Sequence, residues 1–197
     1  MDSHYTFLAL GDSYTIGEAV DESQRWPVQL KTLLHNKSIV LNEVDIIAQT
    51  GWTTDELKKA IDDHKITRTY NYVSLLIGVN NQYRGNPIDI YQKEFKELLE
   101  MAIGFSGNIV KQVFVLSIPD WGAMPFAEGK DRDRIGKQID DFNAVNKRIS
   151  LELGVNYVDI TPISRMALTD KELVASDGLH PSGKMYGLWA NEVARRF

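Results

Sequence analysis

Apolar residues along the chain follow two alternating rhythms. Short, nearly continuous apolar runs occur at 5–10, 39–47, 72–78, 113–118 and 155–160, the pattern of strands covered on both faces. Between them the apolar positions recur at helical spacing. "TTDELKKAIDDH" (53–64) places Leu57, Ala60 and Ile61 on one stripe and opens with Thr53 and Glu56 three residues apart, the signature of a capping box. "IDIYQKEFKELLEMAI" (88–103) aligns Ile88, Tyr91, Phe95, Leu98, Leu99 and Ala102, and "DRIGKQIDDFNAVNKRISLEL" (133–153) aligns Ile135, Ile139, Phe142, Val145 and Ile149. The last segment, "PSGKMYGLWANEV" (181–193), sets Met185, Leu188, Trp189 and Val193 on one side and predicts Pro181 near the first helical position.

Strand and helix alternating to the end of the chain predict a parallel sheet with helices on both faces. Right-handed crossovers leave few arrangements, and the simplest is an α/β three-layer αβα sandwich around a flavodoxin-like five-stranded parallel sheet. No repeat, linker or low-complexity stretch divides the 197 residues, which read as one domain. In such a fold the ligand sits beyond the carboxyl ends of the strands, so polar residues following each apolar run are the ones to examine.

Composition narrows the classes. Hydrophobic residues at 43% and charged residues at 25% are ordinary for a globular chain and disfavour disorder. A net charge of −5, with basic residues scattered, argues against nucleic acid, which needs a concentrated positive face. The chain has no cysteine, which excludes disulfides, thiolate nucleophiles and thiolate zinc sites. No apolar stretch approaches the roughly 20 residues that span a bilayer, so stable membrane anchoring is not expected. The start, "MDSHYTFLAL", has no basic region before a long apolar core, and a cytoplasmic location is the expectation.

Four polar clusters remain. In "FLALGDSYTIG" a buried strand ends on Gly11, Asp12 and Ser13. An attacking hydroxyl needs such a place, at a sheet edge with backbone N–H groups beside it. A plain strand-to-helix turn capped by Asp12 or Ser13 would read the same way. In "ASDGLHPSG" His180 lies three residues after Asp177, a spacing that lets a carboxylate orient an imidazole but also serves purely structural pairs. Gly51 in "QTGW" and Asn80 in "IGVNN" follow the second and third strands. Either could aim an N–H into a cleft, or simply relax a turn and satisfy loop backbone.

Taken in order, these clusters resemble the SGNH hydrolase superfamily, the GDSL-type lipases, esterases and acylhydrolases. "GDSYTIG", the Gly of "TGW", "GVNN" and "DGLHPS" match its four blocks over nearly the whole chain. The resemblance implies Ser13 as nucleophile, His180 as general base and Asp177 as the residue that orients it. It also implies an oxyanion hole from the Ser13 N–H, the Gly51 N–H and the Asn80 side chain, and a chemistry that uses no metal or cofactor. Two positions depart from the family pattern: Tyr14 replaces a frequent Leu, and Asn81 stands where an Asp often follows. Both are expected to bear on the pocket rather than on the mechanism. An α/β-hydrolase elbow needs Gly two residues after the Ser, and Thr15 stands there.

The expected activity is therefore hydrolysis of a small-molecule carboxylic ester through an acyl-enzyme. Deacetylation of a carbohydrate ester is the runner-up, and a non-catalytic small-molecule binder of flavodoxin type is the rival class. The long segment "IPDWGAMPFAEGK" (118–130) predicts an apolar substrate wall built from Trp121, Met124, Pro125 and Phe126, with Tyr83 and Trp52.

Overall fold

The computed structural model describes residues 4–197; residues 1–3, the start of the stretch read for a leader, lie outside them. Five parallel strands form one sheet in the order β2-β1-β3-β4-β5: β1 (His4–Gly11), β2 (Val40–Ala48), β3 (Tyr72–Leu76), β4 (Val113–Leu116) and β5 (Asn156–Val158). The helices are α1 (Ser13–Ile16), α2 (Trp26–His35), α3 (Thr54–His64), α4 (Val79–Tyr83), α5 (Ile88–Phe105), α6 (Arg132–Glu152), α7 (Thr161–Arg165) and α8 (Gly183–Ala194). Helices α2 and α8 pack together, and α3 and α6 each pack against α5, giving the helical layers on the two faces of the sheet.

Phe7, Leu8, Ala9 and Leu10 are all fully buried, as a central strand covered on both faces requires. The ladders are shorter than the apolar runs. β3 stops at Leu76, β4 at Leu116 and β5 at Val158, yet Ile77, Ile118 and Ile160 remain buried. An apolar run reports burial, not strand pairing, and these residues pack beneath the sheet's carboxyl edge after the ladder has ended. Two further differences are local. Ile88 is exposed on the first turn of α5. Pro181 precedes the cap of α8 instead of entering it: Pro181 bridges Val174, and the Ser182 hydroxyl accepts the Met185 N–H.

Helix α2 has no counterpart among the helical segments that the apolar spacing predicts. Trp26, Leu30 and Leu34 are fully buried at a spacing of four, but Arg25 at its N-cap makes no side-chain bond, which leaves Pro27 at the second helical position as the start signal.

Register positions the functional edge. Gly11 pairs with both Ala48 of β2 and Leu76 of β3, so the chain leaves all three strands at one level. Beyond β4 a buried asparagine substitutes for the ended ladder. Asn143 of α6 accepts from the Ile118 N–H at 2.7 Å and donates to the Ile118 carbonyl at 2.9 Å, which fixes the start of the long loop.

Candidate active site

The turn after β1 is built by close approach. A Cβ on Gly11 would come within 2.2 Å of the Thr15 hydroxyl and 2.6 Å of the Leu76 carbonyl, so only glycine lets the first turn of α1 fold back onto the sheet. Asp12 is the cap of that turn: its Oδ1 accepts the Tyr14 N–H at 3.0 Å. Its Oδ2 is buried without a partner among the described residues, and burial pushes the carboxyl up to about 7 against the pull of the backbone bonds. Of the two capping alternatives, Asp12 takes the role. Ser13, the first residue of the turn, is almost fully buried and lines a cavity of about 170 Å³.

The opposite wall comes from the segment before α8. The Asp177 Oδ1 accepts the N–H groups of Leu179 and His180, both at 2.9 Å. Its Oδ2 faces the His180 Nδ1 at 2.5 Å. Burial pushes the Asp177 carboxyl up, but the bonds from the His180 ring and from the two backbone N–H groups outweigh it and hold it below the ordinary carboxylate range. An ionised Asp177 makes Nδ1 the protonated ring nitrogen and leaves Nε2 to accept. The ring is nearly buried and lines the same cavity as Ser13. The His180 carbonyl accepts from Ala175 at 2.8 Å, which closes the turn on itself.

Asn80 also lines this cavity. Its amide donates to the Trp52 carbonyl at 2.9 Å, and a carboxamide has a second N–H to offer. Gly51 is half-buried at φ +91°, a conformation that favours glycine, and its carbonyl accepts from the Arg84 guanidinium at 2.7 Å. It is not on the cavity wall itself but adjoins it through the Asn80–Trp52 bond. Trp52 does not line the cavity either; its side chain packs half-buried against the core.

Trp121, Tyr83 and Phe126 do line it. Trp121 is buried, with its indole N–H on the Gln82 carbonyl at 2.8 Å and the Tyr83 ring edge-on at 5.3 Å. Phe126 is exposed at the rim, 6.2 Å from Trp121 between ring centroids. Met124, expected on this wall, is fully buried in the core. The segment is not slack. It winds into two short 3₁₀ turns, Trp121–Ala123 and Pro125–Ala127, and the Phe126 N–H donates to the Gly178 carbonyl at 2.9 Å, joining the wall to the Asp177–His180 turn.

Tyr14, expected to bear on the pocket, lines it, and so do Val79 and Leu179, two chain neighbours of motif residues that the sequence does not single out. Tyr14 is buried edge-on to His180 at 5.9 Å and to Trp189 at 6.0 Å, so this departure from the family pattern does face the pocket. Asn81 does not. It is fully buried, with its amide on the Thr54 hydroxyl at 2.7 Å and its carbonyl on the Thr54 N–H at 3.1 Å.

Larger hollows exist among the described residues, one of about 490 Å³ between Asp120, Arg132 and Arg165, but that one lacks the hydroxyl, imidazole and amide that the smaller cavity combines. Among the described residues no group of three or more His, Asp or Glu side chains is placed to hold a metal ion, and no helix is long and apolar enough to cross a membrane.

The model of the GDSL-like lipase/acylhydrolase family matches residues 9–188. No curated protein matches the sequence. Solved structures with the same fold include the acetylxylan esterase Axe2 from Geobacillus stearothermophilus, at 20% identity over 98% of this chain and 93% of that one, with a TM-score of 0.74. A lipase/acylhydrolase from Enterococcus faecalis aligns at 19% identity over 97% and 94%, TM-score 0.74. The psychrotrophic esterase EstA from Pseudoalteromonas sp., in a structure inhibited by monoethylphosphonate, aligns at 18% identity over 96% and 94%, TM-score 0.70.

Proposed function

This chain belongs to the GDSL-like lipase/acylhydrolase family, and on that premise we propose that it is a serine esterase that hydrolyses carboxylic esters of short acyl groups. The observation that carries the reading is the Asp177–His180 pair at 2.5 Å, with its ring on the wall of the cavity that Ser13 also lines. In the proposed reaction the His180 Nε2 takes the proton as the Ser13 Oγ bonds to the substrate carbonyl carbon. The carbonyl electron pair moves onto oxygen, against the Ser13 N–H and the second N–H of Asn80, with the Gly51 N–H contributing from the adjoining loop. The intermediate collapses, the carbon–alkoxy bond breaks and the His180 proton passes to the departing alcohol. Water then repeats the sequence on the acyl-enzyme, releasing the acid. Asp177 keeps the imidazole in one tautomer and stabilises its cationic form without taking the proton itself.

Size supports a short acyl group. Ligand pockets usually run to about 300–1,000 Å³, and this cavity measures about 170 Å³. The same smallness favours acetyl esters of sugars as the second reading, the substrate class named for Axe2.

The test is covalent as well as kinetic. A fluorophosphonate should label the parent protein once, at Ser13, and Ser13→Ala should lose labelling and on the order of 10⁶ in kcat on 4-nitrophenyl acetate. Asn80→Ala should lose on the order of 10²–10³ in kcat. Parental turnover by Ser13→Ala would end the proposal, and an unlabelled parent would favour a non-catalytic binder.

A further inference from the structure

A second hollow of about 360 Å³ lies against the cavity that holds Ser13, and Tyr83 and Trp121 belong to the walls of both. Its remaining walls carry Arg84, Lys130 and Arg134, against one carboxylate, Asp131. That carboxylate is partly committed to capping α6, with its Oδ1 accepting the Arg134 N–H at 3.0 Å. Behind Arg84 stands one further carboxylate, Glu56, at 3.4 Å, and the same guanidinium holds the Gly51 carbonyl. Lys130 sits over the Phe126 ring with its nitrogen 5.3 Å from the centroid. The floor is neutral and already satisfied, since Gln82 donates to Gln138 at 2.8 Å and accepts from Trp121. Three cations thus face two carboxylates in a chain whose net charge is −5.

We infer that this groove is the leaving-group subsite, and that it takes an alcohol bearing an anionic group, a phosphate or a carboxylate. The inference rests on the esterase reading for its geometry. A cavity of about 170 Å³ falls well below the roughly 300–1,000 Å³ of ordinary ligand pockets, enough for a short acyl group but not for an acyl group and its alcohol together. The alcohol must extend elsewhere, and the hollow sharing Tyr83 and Trp121 adjoins the candidate site directly. Arg134 supplies the planar fork suited to carboxylate and phosphate oxygens, and Lys130 supplies a mobile charge at the rim. Arg84 is tied to the Gly51 loop, so it contributes field more than contact.

The experiment compares kcat/KM for four acetyl esters: 3-acetoxypropyl phosphate, 4-acetoxybutanoate, butyl acetate and monoacetylated xylose. The anionic pair should exceed the neutral pair by about 5–20-fold at low salt, as expected for two exposed charge contacts worth up to about fivefold each. The preference should shrink as ionic strength rises past ~0.1 M. In Lys130→Gln/Arg134→Gln the anionic-to-neutral ratio should fall toward one. Comparison of the phosphate with the carboxylate ester identifies the anion. A parallel NMR titration of the parent and the double variant with 3-hydroxypropyl phosphate reads binding without turnover, and the double variant should bind about 5–20-fold more weakly. Ester hydrolysis with no anionic preference, or a ratio unmoved by the double substitution, overturns the groove and leaves the esterase reading intact. Phosphate binding that weakens in the double variant, in a protein that hydrolyses no ester, supports the groove as an anion site and removes the esterase reading. A preference for acetylated xylose overturns the anionic assignment.

Discussion

Asp12 is fully buried one residue before the candidate nucleophile, with one carboxylate oxygen on the Tyr14 N–H and the other unpartnered among the described residues. Burial raises it from 3.8 to about 7. Between those values the folded protein binds more protons than the unfolded chain, so stability falls as pH rises through this window and is not lost further above it. Asn at this position keeps the cap acceptor and removes the charge. Asp12→Asn should therefore gain stability over the parent at pH 8, by a few kcal/mol at ~1.4 kcal/mol per pH unit, and the gain should vanish near pH 4. Urea unfolding at both pH values measures it, and a gain independent of pH would contradict the burial argument. Asp177 acts in the opposite sense and in another window. Its carboxyl is held below 3.8, so its contribution is present above that pH and disappears as pH falls through the lower folded value. The sequence shows Asp12 as a possible cap from its place after Gly11. Its burial depends on neighbours far along the chain, and local pattern does not carry that.

At the level of elements, the side chains of the candidate site are held by short helices whose supports lie elsewhere. Helix α4 carries Asn80 and Tyr83, and its buried Asn81 ties it to the first residue of α3 through both Thr54 bonds. Asn81→Ala would leave the Thr54 N–H and its hydroxyl without these partners in a buried place. The expected loss is about 2–3 kcal/mol, read from urea unfolding. Asn81→Asp keeps the acceptor for the Thr54 N–H but buries a charge in place of the donating amide, so its loss should shrink as pH falls from 8 to 4 and the carboxyl takes a proton. A loss in Asn81→Asp that ignores pH would show that burial of the charge contributes nothing. Part of this junction is legible in the sequence. Thr53 and Glu56 signal the start of α3, and the Glu56 carboxylate does accept the Thr53 N–H at 2.9 Å. The asparagine clamps at Thr54 and Ile118 are not legible, since Asn81 and Asn143 sit at positions where polar residues are equally common on solvated faces. Helix α2 marks another boundary: its spacing of Trp26, Leu30 and Leu34 is legible, but without a side-chain cap its beginning rests on Pro27 alone, a weaker signal than a capped start.

Across the whole molecule the strand order does the assembling. With β1 between β2 and β3, the Ser13 turn emerges between the segments bearing Gly51 and Asn80, at the switch point where parallel sheets open a crevice. Alternating patterns predict that arrangement, because burial and connection handedness constrain it. They do not predict which side chains meet across the crevice. The Phe126–Gly178 bond, the Trp121–Gln82 bond and the retreat of Trp52 and Met124 follow from loop paths that apolar composition does not encode. Those paths leave Trp121 as a buried wall and Phe126 as an exposed rim, which gives the two aromatics separable effects on substrate length. In the parent, kcat/KM on 4-nitrophenyl esters should fall from acetate toward octanoate as the acyl chain outgrows the cavity. Phe126→Ala opens the rim, so the longer esters should recover while acetate changes little in rank. A methylene newly accommodated is worth ~0.8 kcal/mol, or about fourfold, so two should shift hexanoate against acetate by roughly fifteenfold. Trp121→Ala should deepen the cavity too, but at a cost in stability, because Gln82 loses its donor in the interior. If both variants keep the parental order of chain lengths, the acyl group does not lie between these rings, and the small cavity would hold some other part of the ester.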